Sequence, residues 1–395
     1  MNHHKAPAPD PHDFLAVDAD LSDTERDVRD AVRAFGTREL LPHVADWFDA
    51  GTLPDPRGLA KAFGDIGVLG MHLEGYGCGG SGAVAYGVAC RELEAVDSGL
   101  RSFVSVQGSL AMAAIHKYGS EEQKEHWLPR MAAGEAIGCF GLTEPDSGSD
   151  PGSMRTRARE DGSDWVLDGT KMWITNGSVA DVAVVWAATD DGIRGFVVPT
   201  DTPGFTANVI HKKLSLRASI TSELVLEGVR LPADAVLPAS RGLGSPLSCL
   251  NEARYGIVWG VAGAARACYE AALEYAGTRE QFGRPIGGFQ LTQRKLADMV
   301  VDVNHANMTA LRIGRLKDRG LAHHNHVSFG KFANVAAAQR VASAARSVHG
   351  ANGITLEYPV MRHMVNLETV ATYEGTEEIH ALSIGQAVTG ISAFR

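Results

Sequence analysis

Long apolar runs are missing from this 395-residue sequence, which nowhere approaches the ~20 consecutive apolar residues that a helix needs to span a bilayer. Basic residues are also too few to balance the acidic ones, with 37 lysines and arginines against 47 aspartates and glutamates and a formal net charge of -10. Because phosphate binding requires a concentrated basic face, this balance argues against nucleic acid or an acidic membrane as the main partner. We therefore expect a protein that neither inserts into a membrane nor binds nucleic acid.

Cysteine is scarce as well, and the spacing of these residues excludes the usual zinc and redox motifs. The sequence contains no CxxC pair and no metal-type spacing. The five residues are Cys78, Cys90, Cys139, Cys249 and Cys268. We interpret them as reduced core thiols of a cytosolic protein, and we expect no metal site.

The N-terminal sequence MNHHKAPAPDPHDFLAVDAD has no arginine and no apolar stretch of the kind found in signal peptides. Neither a secretory signal nor a transit peptide fits this composition. We therefore predict a cytoplasmic protein, in a bacterial cytosol, whose residues 1–20 form a partly disordered lead-in.

Three segments with different periodicity divide the rest of the chain. Residues 21–137 show helical spacing of apolar residues, and Ser22 followed by Glu25 has the spacing of a capping box. Residues 138–244 contain short β-type runs separated by Asp-Gly turns, and residues 245–395 return to long, alanine-rich helical patterns. We predict a mainly α, α+β protein with an N-terminal helical domain, a middle antiparallel β domain and a C-terminal helical domain.

Two motifs of other folds occur in this sequence, but their surroundings do not fit those folds. The stretch GCGGSG at 77–82 matches GxGxxG, yet a poor strand precedes it and no βαβ unit follows. The sequence HHNH at 323–326 has no second ligand cluster, so we interpret it as a solvated loop rather than as a metal site. The order of helices, strands and helices also argues against a doubly wound sheet.

One carboxylate stands in an unusual setting in the stretch NLETVATYEGTEEIHAL at 366–382. Glu374 precedes Gly375, and a glycine beside an acid lets another group approach the backbone closely. Taken alone, the stretch favours a helix start, because Thr376 can cap a helix and Glu377 and Glu378 suit its positive first turn.

Four further stretches combine glycine with polar or aromatic residues. Glycines let a ligand approach the backbone, and such turns can present amides to a phosphate. A turn or a core aromatic explains any single one of them better than a binding site does. They are CFGLTEPDSGSDPGS at 139–153, KMWITNG at 171–177, REQFGRPIGGFQ at 279–290 and VHGANG at 348–353.

Together, however, these stretches resemble the flavin-dependent acyl-CoA dehydrogenases in order and spacing, from about residue 21 to the C-terminus. The motifs that carry this resemblance are GLTEPDSGSD, DGTKMWITNG, TREQFGRPI and YEGTEEIHAL. The stretches VDSGLRSFVSVQ, LSLRAS, LNEARYGIVWG, GRLKDRG and TGISAF are most similar to the glutaryl-CoA dehydrogenase branch. The resemblance implies N-terminal helices, a middle antiparallel β-barrel, a C-terminal four-helix bundle and a homotetramer built as a dimer of dimers.

The resemblance also implies FAD and indicates the residues that would bind it. The isoalloxazine would lie against Phe140, Gly141, Leu142, Thr143, Ser149, Trp173, Ile174 and Thr175, with Thr376 and Glu378 near the other end of the flavin's chain. The pyrophosphate and adenine of an FAD bound mainly by a neighbouring subunit would contact Arg279, Phe282, Gln290, Ser347, Val348, His349, Gly350 and Ala351.

The same resemblance implies a thioester site in which Glu374 is the catalytic base. The CoA thioester would lie along Ser149, Leu247, Leu250, Asn251 and Arg254, close to Tyr373 and Gly375. The proton alpha to a thioester is a very weak acid, so the enzyme needs a positioned base and donors at the carbonyl. Burial should raise the pKa of the Glu374 carboxyl and improve it as a base, with hydride passing from the β carbon to flavin N5.

Arg101 is the single charged residue in LRSFVSVQGSLAMAAI at 100–115. A buried guanidinium needs an anion, and both Asp97 and Glu94 are close enough in sequence to supply one internally. In the glutaryl branch, the matching arginine instead binds the distal carboxylate of the substrate, beside the residues that match Glu94, Ser102 and Ser105. Both arrangements can hold together.

We therefore predict oxidative decarboxylation of glutaryl-CoA to crotonyl-CoA and CO₂, with electron-transfer flavoprotein as the acceptor. One alternative is a dehydrogenase or oxidase of another short-chain or dicarboxylyl-CoA. Another is a catalytically inactive helical scaffold, against which the intact run from Tyr373 to Thr376 argues.

Overall fold

Helices make up the first block of the chain, as the apolar periodicity predicted. In the computed structural model, which describes residues 8–394, the predicted capping box is present at the first helix. The Ser22 hydroxyl accepts a hydrogen bond from Glu25 N, and the Glu25 carboxylate accepts one from Ser22 N at 2.7 Å. The helices are α1 (Asp23–Phe35), α2 (Val44–Ala50), α3 (Pro56–Asp65), α4 (Ala83–Val96), α5 (Ser98–Ser105), α6 (Ala113–Tyr118) and α7 (Glu121–Ala132). A π-helical stretch, Val106–Met112, joins α5 to α6, and another, Gly36–Leu40, extends α1.

The lead-in predicted over residues 1–20 falls partly outside the described residues, which begin at residue 8. From there the chain packs against later helices. Leu15 N donates to Asn304 Oδ1 at 3.0 Å, and the Asp18 carboxylate accepts two hydrogen bonds from Arg91 at 2.7 and 3.0 Å. These contacts attach residues 8–20 to the helical part of the molecule.

A seven-stranded sheet forms the middle block, in the order β1-β4-β2-β3-β7-β6, with β5 paired to β4. Its strands are β1 (Gly138–Gly141), β2 (Arg157–Asp161), β3 (Asp164–Thr175), β4 (Val182–Thr189), β5 (Gly192–Pro199), β6 (Phe205–Val209) and β7 (Thr221–Leu231). Most pairs are antiparallel as predicted, but β2 meets β4 in parallel at one residue pair, and β1 runs parallel to β4. That pairing needs a crossover connection, here β2 and β3, rather than a hairpin.

The last block is a helical bundle that contains the longest helices of the described chain. After α8, a two-stranded hairpin of β8 (Glu280–Gln281) and β9 (Arg284–Pro285) leads into α9. Helix α8 packs against α4 on the N-terminal side and against α9, α10 and α11 within the bundle. The helices are α8 (Gly244–Thr278), α9 (Gln290–Asp318), α10 (His324–His349), α11 (Val360–Thr372) and α12 (Glu377–Thr389).

This arrangement confirms the predicted mainly helical fold with a separate sheet. No strand precedes β1 in the described chain, so GCGGSG lies in an irregular segment before α4 and not in a βαβ unit. The loop predicted for HHNH was wrong for its last three residues, because imidazole nitrogens cap α10 there: His326 Nδ1 accepts from His323 N at 3.0 Å. Among residues 8–394, no helix combines the length and the apolar composition that a membrane crossing requires.

Candidate active site

Glu374 lies in a tight turn between α11 and α12. Helix α11 ends at Thr372, and Thr376 caps α12 by accepting a hydrogen bond from Ile379 N at 3.4 Å, so the predicted helix start is present. Between them, Glu374 has φ 54° and Gly375 has φ 96°. A non-glycine residue with positive φ costs on the order of 1 to 3 kcal/mol and persists only where its surroundings hold it.

Two basic side chains, the buried Lys331 and the partly buried Arg254, hold this turn through three consecutive backbone carbonyls. Lys331 Nζ donates to the carbonyl oxygen of Tyr373 and to that of Gly375, the latter at 2.5 Å. Arg254 Nε donates to the carbonyl oxygen of Glu374 at 2.6 Å. Lys331 is only 1% exposed. The left-handed backbone is therefore fixed by side chains from α8 and α10.

The Glu374 carboxyl is well suited to remove a proton. Its Oε2 is buried and finds no hydrogen-bond partner among residues 8–394. Burial raises the pKa of Glu374, while the positive charges of Arg101, Lys331 and Arg254 oppose that shift. Desolvation also lowers the pKa of the neighbouring Lys331 to about 7. A carboxylate with a raised pKa and an unused oxygen can act as a general base.

Arg101 and Glu94 form an ion pair at the same site. Arg101 Nε donates to Glu94 Oε2 at 2.7 Å, and both residues are 0% exposed. Arg101 Nη2 also donates to the hydroxyl of Tyr373, which lies 3.2 Å from the Ser102 hydroxyl. This hydrogen-bonded group connects α4 and α5 to the residue that precedes Glu374.

Polar atoms remain unused around this ion pair. Arg101 Nη1, Glu94 Oε1 and the Ser105 hydroxyl are all buried and have no hydrogen-bond partner within the described chain. Burying such groups unpaired is costly, so a ligand that supplies the missing partners is expected. A carboxylate would accept from Arg101 Nη1, and a hydroxyl can donate to it.

Asp97, the alternative internal partner of Arg101, is occupied elsewhere. One of its oxygens accepts from Gly99 N at 2.7 Å. The other accepts from Arg362 Nη1 at 2.5 Å and from Asn366 Nδ2 at 2.8 Å. Of the two internal ion pairs that the sequence left open, the structure contains the one with Glu94.

One glycine of α8 makes room for the Glu94 carboxylate. A Cβ atom at Gly260 would lie 2.0 Å from Glu94 Oε2 and 3.3 Å from Arg101 Nε. Real Cβ atoms do not approach oxygen so closely, so any side chain at this position would displace Glu94.

The predicted CoA-binding residues of α8 share one helical face that ends at the turn. Leu247, Leu250, Asn251 and Arg254 follow the spacing i, i+3, i+4 and i+7, which places them on one face over successive turns of the helix. Asn251 Oδ1 is buried and has no partner among the residues described. Ser149, in contrast, is exposed on the loop after β1.

The residues predicted for the isoalloxazine meet at the junction of β1 and β3. Met172 N donates to the carbonyl oxygen of Thr143 at 2.8 Å. Trp173 follows at a register irregularity of β3, with φ 64° and 61% of its surface exposed. Phe140 and Ile174, however, are buried in the protein core, so that only their backbones can face a ligand.

The residues predicted for the adenine end lie at the opposite end of α8. Arg279 follows Arg254 by 25 residues, which at about 1.5 Å per residue is roughly 37 Å along the helix. Tyr275 joins them to the end of α10, because its ring stacks on His349 at 4.5 Å and its carbonyl accepts from Arg279 N at 2.9 Å. In one chain, these residues and the isoalloxazine residues thus form two separate groups.

Both groups fit a flavin dinucleotide by their chemistry. Trp173 presents an exposed indole beside backbone at the end of β1, which suits a planar ring. At the far end of α8, Phe282 is 94% exposed between the exposed polar residues Arg279 and Gln290, which suits a ring and a phosphate. The remaining predicted residues are the partly buried Ser347, the buried Val348, the exposed Gly350 and Ala351, and Thr376 and Glu378 in the first turn of α12.

Sequence reasoning did not find Lys331 and His380, which both pack against the turn. A Cβ atom at Gly375 would lie 2.9 Å from His380 Nε2, and burial lowers the pKa of this imidazole to about 3. Lys331 is an isolated charge in the apolar stretch VSFGKFANVAAA, the same signal that drew attention to Arg101. His380 carried no comparable signal.

Comparison with protein families matches three models along the chain. They are the acyl-CoA dehydrogenase N-terminal domain at residues 22–135, the middle domain at 139–229 and the C-terminal domain at 240–389. Among curated proteins, the mitochondrial short-chain specific acyl-CoA dehydrogenase of Homo sapiens is 36% identical over 372 residues, which cover 92% of this chain and 90% of that protein.

Solved structures of similar proteins extend the comparison. Glutaryl-CoA dehydrogenase from Mycobacterium smegmatis is 64% identical with a TM-score of 0.96, over 98% of this chain and 100% of that chain. A structure of such an enzyme from the same organism in complex with FADH2 is 60% identical, with the same TM-score of 0.96 and the same coverage of 98% and 100%. A glutaryl-CoA dehydrogenase in complex with glutaryl-CoA is 31% identical with a TM-score of 0.88, over 94% of this chain and 96% of that chain.

Proposed function

This chain belongs to the acyl-CoA dehydrogenase family and is an FAD-dependent enzyme, and we propose from that premise that it oxidises glutaryl-CoA. The observation that carries the proposal is the Arg101–Glu94 pair, which keeps one buried donor, Arg101 Nη1, without a partner in residues 8–394. A neutral acyl chain would leave that donor unsatisfied. The distal carboxylate of a dicarboxylyl thioester would satisfy it.

Tyr373 connects the proposed carboxylate site to the proposed base. Its hydroxyl accepts from Arg101, and its backbone leads directly into Glu374. An acyl group that places its distal carboxylate at Arg101 would therefore pass the Glu374 carboxyl with its α carbon. This geometry supports selection of an acyl chain that carries an acid at its far end.

Glu374 is the proposed base for the α proton. Its unpartnered Oε2 accepts that proton. The raised pKa of the carboxyl brings its basicity closer to that of the enolate that forms when the thioester loses the α proton. When bound, FAD supplies the acceptor for the hydride that leaves the β carbon. Arg254 and Lys331 keep the carboxyl in place through the carbonyls that they bind.

The proposed second step is loss of the distal carboxylate as CO₂ from the oxidised glutaconyl thioester. The electron pair of the broken carbon–carbon bond stays on the acyl chain, whose γ carbon takes up the proton held by Glu374 to give crotonyl-CoA. Arg101 would orient the carboxylate, and the adjacent Glu94 limits how firmly the positive charge holds it. Ser102 and Ser105 lie on the same helix as Arg101 and complete the proposed polar end of the acyl site.

The FAD contacts are also a proposal at the level of individual residues. Trp173 and the backbone from Phe140 to Thr143 would face the isoalloxazine, while the residues around Arg279 would serve the adenine end. Because these two groups lie far apart in one chain, the arrangement supports the proposed homotetramer, in which a neighbouring subunit would supply the second group. Electron-transfer flavoprotein as acceptor and a cytoplasmic location are proposed on the family resemblance.

A dehydrogenase of neutral short-chain thioesters is the second candidate, because a curated relative at 36% identity is described as short-chain specific. An oxidase of such thioesters is the remaining alternative. The test is to mix the purified flavoprotein without oxygen with either glutaryl-CoA or butyryl-CoA, and to follow the flavin absorbance and the mass of the thioester product.

Each candidate predicts a different outcome. Glutaryl-CoA oxidation predicts bleaching by that ester and a product with the mass of crotonyl-CoA. Bleaching by butyryl-CoA alone would favour the short-chain candidate, and no bleaching by either ester would contradict both. Rapid peroxide formation in air, without reduction of electron-transfer flavoprotein, would identify an oxidase.

A further inference from the structure

We infer that Lys331 is a positioning residue for the proposed base, because its ammonium clamps the two backbone carbonyls on either side of Glu374. This inference rests on the proposed role of Glu374. It assigns a function to a residue of α10 that touches neither the acyl group nor the proton in transfer, and that acts through the backbone of the turn.

The geometry of the clamp is specific. Lys331 Nζ donates to the carbonyl oxygens of Tyr373 and Gly375, residues that lie 42 and 44 positions further along the chain. Within the described chain these are its hydrogen bonds, and none goes to the Glu374 carboxylate. The ammonium therefore fixes the carbonyls of the two residues that flank Glu374 and leaves the carboxyl free.

The clamp matters because the turn is conformationally costly. Glu374 holds a positive φ of 54° without the freedom of glycine. Without Lys331, two carbonyls in a half-buried turn would lose their donor, and the backbone would be free to relax toward an ordinary conformation. A base displaced by about 1 Å can cost on the order of 10²-fold in rate.

The charge of Lys331 also acts on the base. Its positive charge stabilises the carboxylate form of Glu374 and so opposes the effect of burial on the pKa of that group. Removing the charge should shift the pH at which the base becomes active to a higher value. Besides Tyr373 of the turn itself, the other titratable or charged groups that face the turn are Glu94 from α4, Arg101 from α5, Arg254 from α8 and His380 from α12.

These neighbours do not replace the clamp. Arg254 binds the central carbonyl, that of Glu374, and Arg101 is committed to Glu94 and Tyr373. His380 is held neutral by burial, which lowers its pKa to about 3, and neither ring nitrogen has a partner in the described residues. Lys331 is thus the side chain that holds the flanking carbonyls.

The test measures proton transfer without oxidation. Acetyl-CoA has α protons but no β carbon, so the exchange of its α protons with D₂O reports the base alone and can be followed by mass across a range of pH. The holoenzyme would be compared with Lys331→Met, with Lys331→Arg and with Glu374→Gln. Asn334→Ala is the matched control, because Asn334 lies one turn further along α10 and binds the carbonyls of Val258 and Ala306 instead.

We expect the α protons of acetyl-CoA to exchange on the order of 10²-fold more slowly with Lys331→Met than with the wild type. The midpoint of the pH dependence of this exchange should move to a higher pH. Lys331→Arg, which retains charge and donors, should not move the midpoint upward. Asn334→Ala should lower the melting temperature and leave the midpoint unchanged.

Two different failures are distinguishable in this experiment. Exchange by Lys331→Met at the wild-type rate and midpoint would overturn the positioning role while leaving Glu374 as the base. An equal midpoint shift in Asn334→Ala would reduce the role of Lys331 to general stability of α10. Exchange that persists in Glu374→Gln, or that is absent from the wild type, would remove the proposed base itself and this inference with it.

Discussion

Arg101 and Glu94 meet at 2.7 Å with neither side chain exposed, yet each retains one buried polar atom without a partner in residues 8–394. Two opposite charges of a purely structural pair usually use their remaining hydrogen-bonding positions, because leaving them empty in the interior is costly. The incomplete pair therefore supports the proposed substrate with an acid group at its far end. The internal ion pair and the proposed substrate contact are compatible, because Arg101 Nε binds Glu94 while Arg101 Nη1 remains for the substrate carboxylate.

Arg101→Met should impair glutaryl-CoA selectively. Truncating one partner of a buried charge pair costs about 2 to 5 kcal/mol, so kcat/KM for glutaryl-CoA should fall by roughly 30-fold or more. Butyryl-CoA, which has no distal charge, should lose much less. The measurement is a pair of steady-state profiles with the two esters.

Arg362→Met is the matched control for that change. It also removes a buried arginine from a carboxylate, in this case Asp97 at 2.5 Å, but at a place that we assign to packing. We expect lower stability and similar effects on both esters. Parallel losses in Arg101→Met would instead remove Arg101 from the substrate site.

Gly260→Ala should disturb the same pair from the opposite helix. The new Cβ would lie 2.0 Å from Glu94 Oε2, so the carboxylate must move away from Arg101. Overpacking of this kind costs roughly 1 to 3 kcal/mol. We expect a lower melting temperature and a smaller preference for glutaryl-CoA over butyryl-CoA.

The control for Gly260→Ala is Gly277→Ala, in the same helix. A Cβ at Gly277 meets nothing within 4 Å. Alanine is favoured over glycine in a helix by roughly 0.5 to 1 kcal/mol, so this variant should be slightly more stable with an unchanged ester preference. A selectivity change in both variants would point to the helix backbone and not to Glu94.

Glu374→Gln should retain FAD and thioester binding but lose turnover. The amide has nearly the same shape, while it cannot accept the α proton. General-base catalysis contributes typically ~10² to 10⁴-fold, and we expect at least that loss in kcat. Flavin absorbance and thioester titration report the retained binding, and near-normal kcat would place the base elsewhere.

Acid should destabilise the protein through buried imidazoles, of which His72 is the clearest case. Its ring packs on Tyr86 at 4.4 Å, and burial lowers its pKa from 6.5 to about 4. Between these values the unfolded chain binds a proton that the folded chain excludes, so stability is present above pH 6.5 and is lost as the pH falls toward 4. The full shift corresponds to at most about 3 kcal/mol.

His72→Leu cannot take up this proton and should lose less stability between about pH 7 and pH 5 than the wild type does. The measurement is the melting midpoint at both pH values. His126→Gln is the control, because His126 is exposed and its ring stays hydrated in the folded protein. Equal acid losses in wild type and His72→Leu would contradict the assignment.

Features that depend on short-range hydrogen bonds could be predicted from the sequence. The caps at Ser22 and Thr376 follow from short-range hydrogen bonds, which sequence spacing determines. The pairing of Arg101 with Glu94 and not with Asp97 does not follow from sequence spacing. Asp97 interrupts the helix between α4 and α5 and binds Arg362, 265 residues away. Lys331 stood out as an isolated charge, but its partners, 42 and 44 residues further along the chain, could not be read from the sequence.

The sheet likewise contains a long-range pairing that could not be predicted from the sequence. The antiparallel neighbours β4 and β5 follow from a turn, whereas β1 pairs in parallel with β4 across an intervening crossover that no local pattern encodes. The backbone at Glu374 is a further example, because glutamate has no local preference for a φ of 54°. Contacts from α8 and α10 impose it.

The ratio of kcat/KM for glutaryl-CoA to that for butyryl-CoA, measured on the FAD-loaded wild type with one artificial acceptor, tests the proposed substrate most directly. An unsatisfied buried donor at Arg101 predicts a preference for glutaryl-CoA of at least about tenfold, equivalent to roughly 1.4 kcal/mol. Equal or better use of butyryl-CoA would contradict the account and assign the incomplete Arg101–Glu94 pair to some other role.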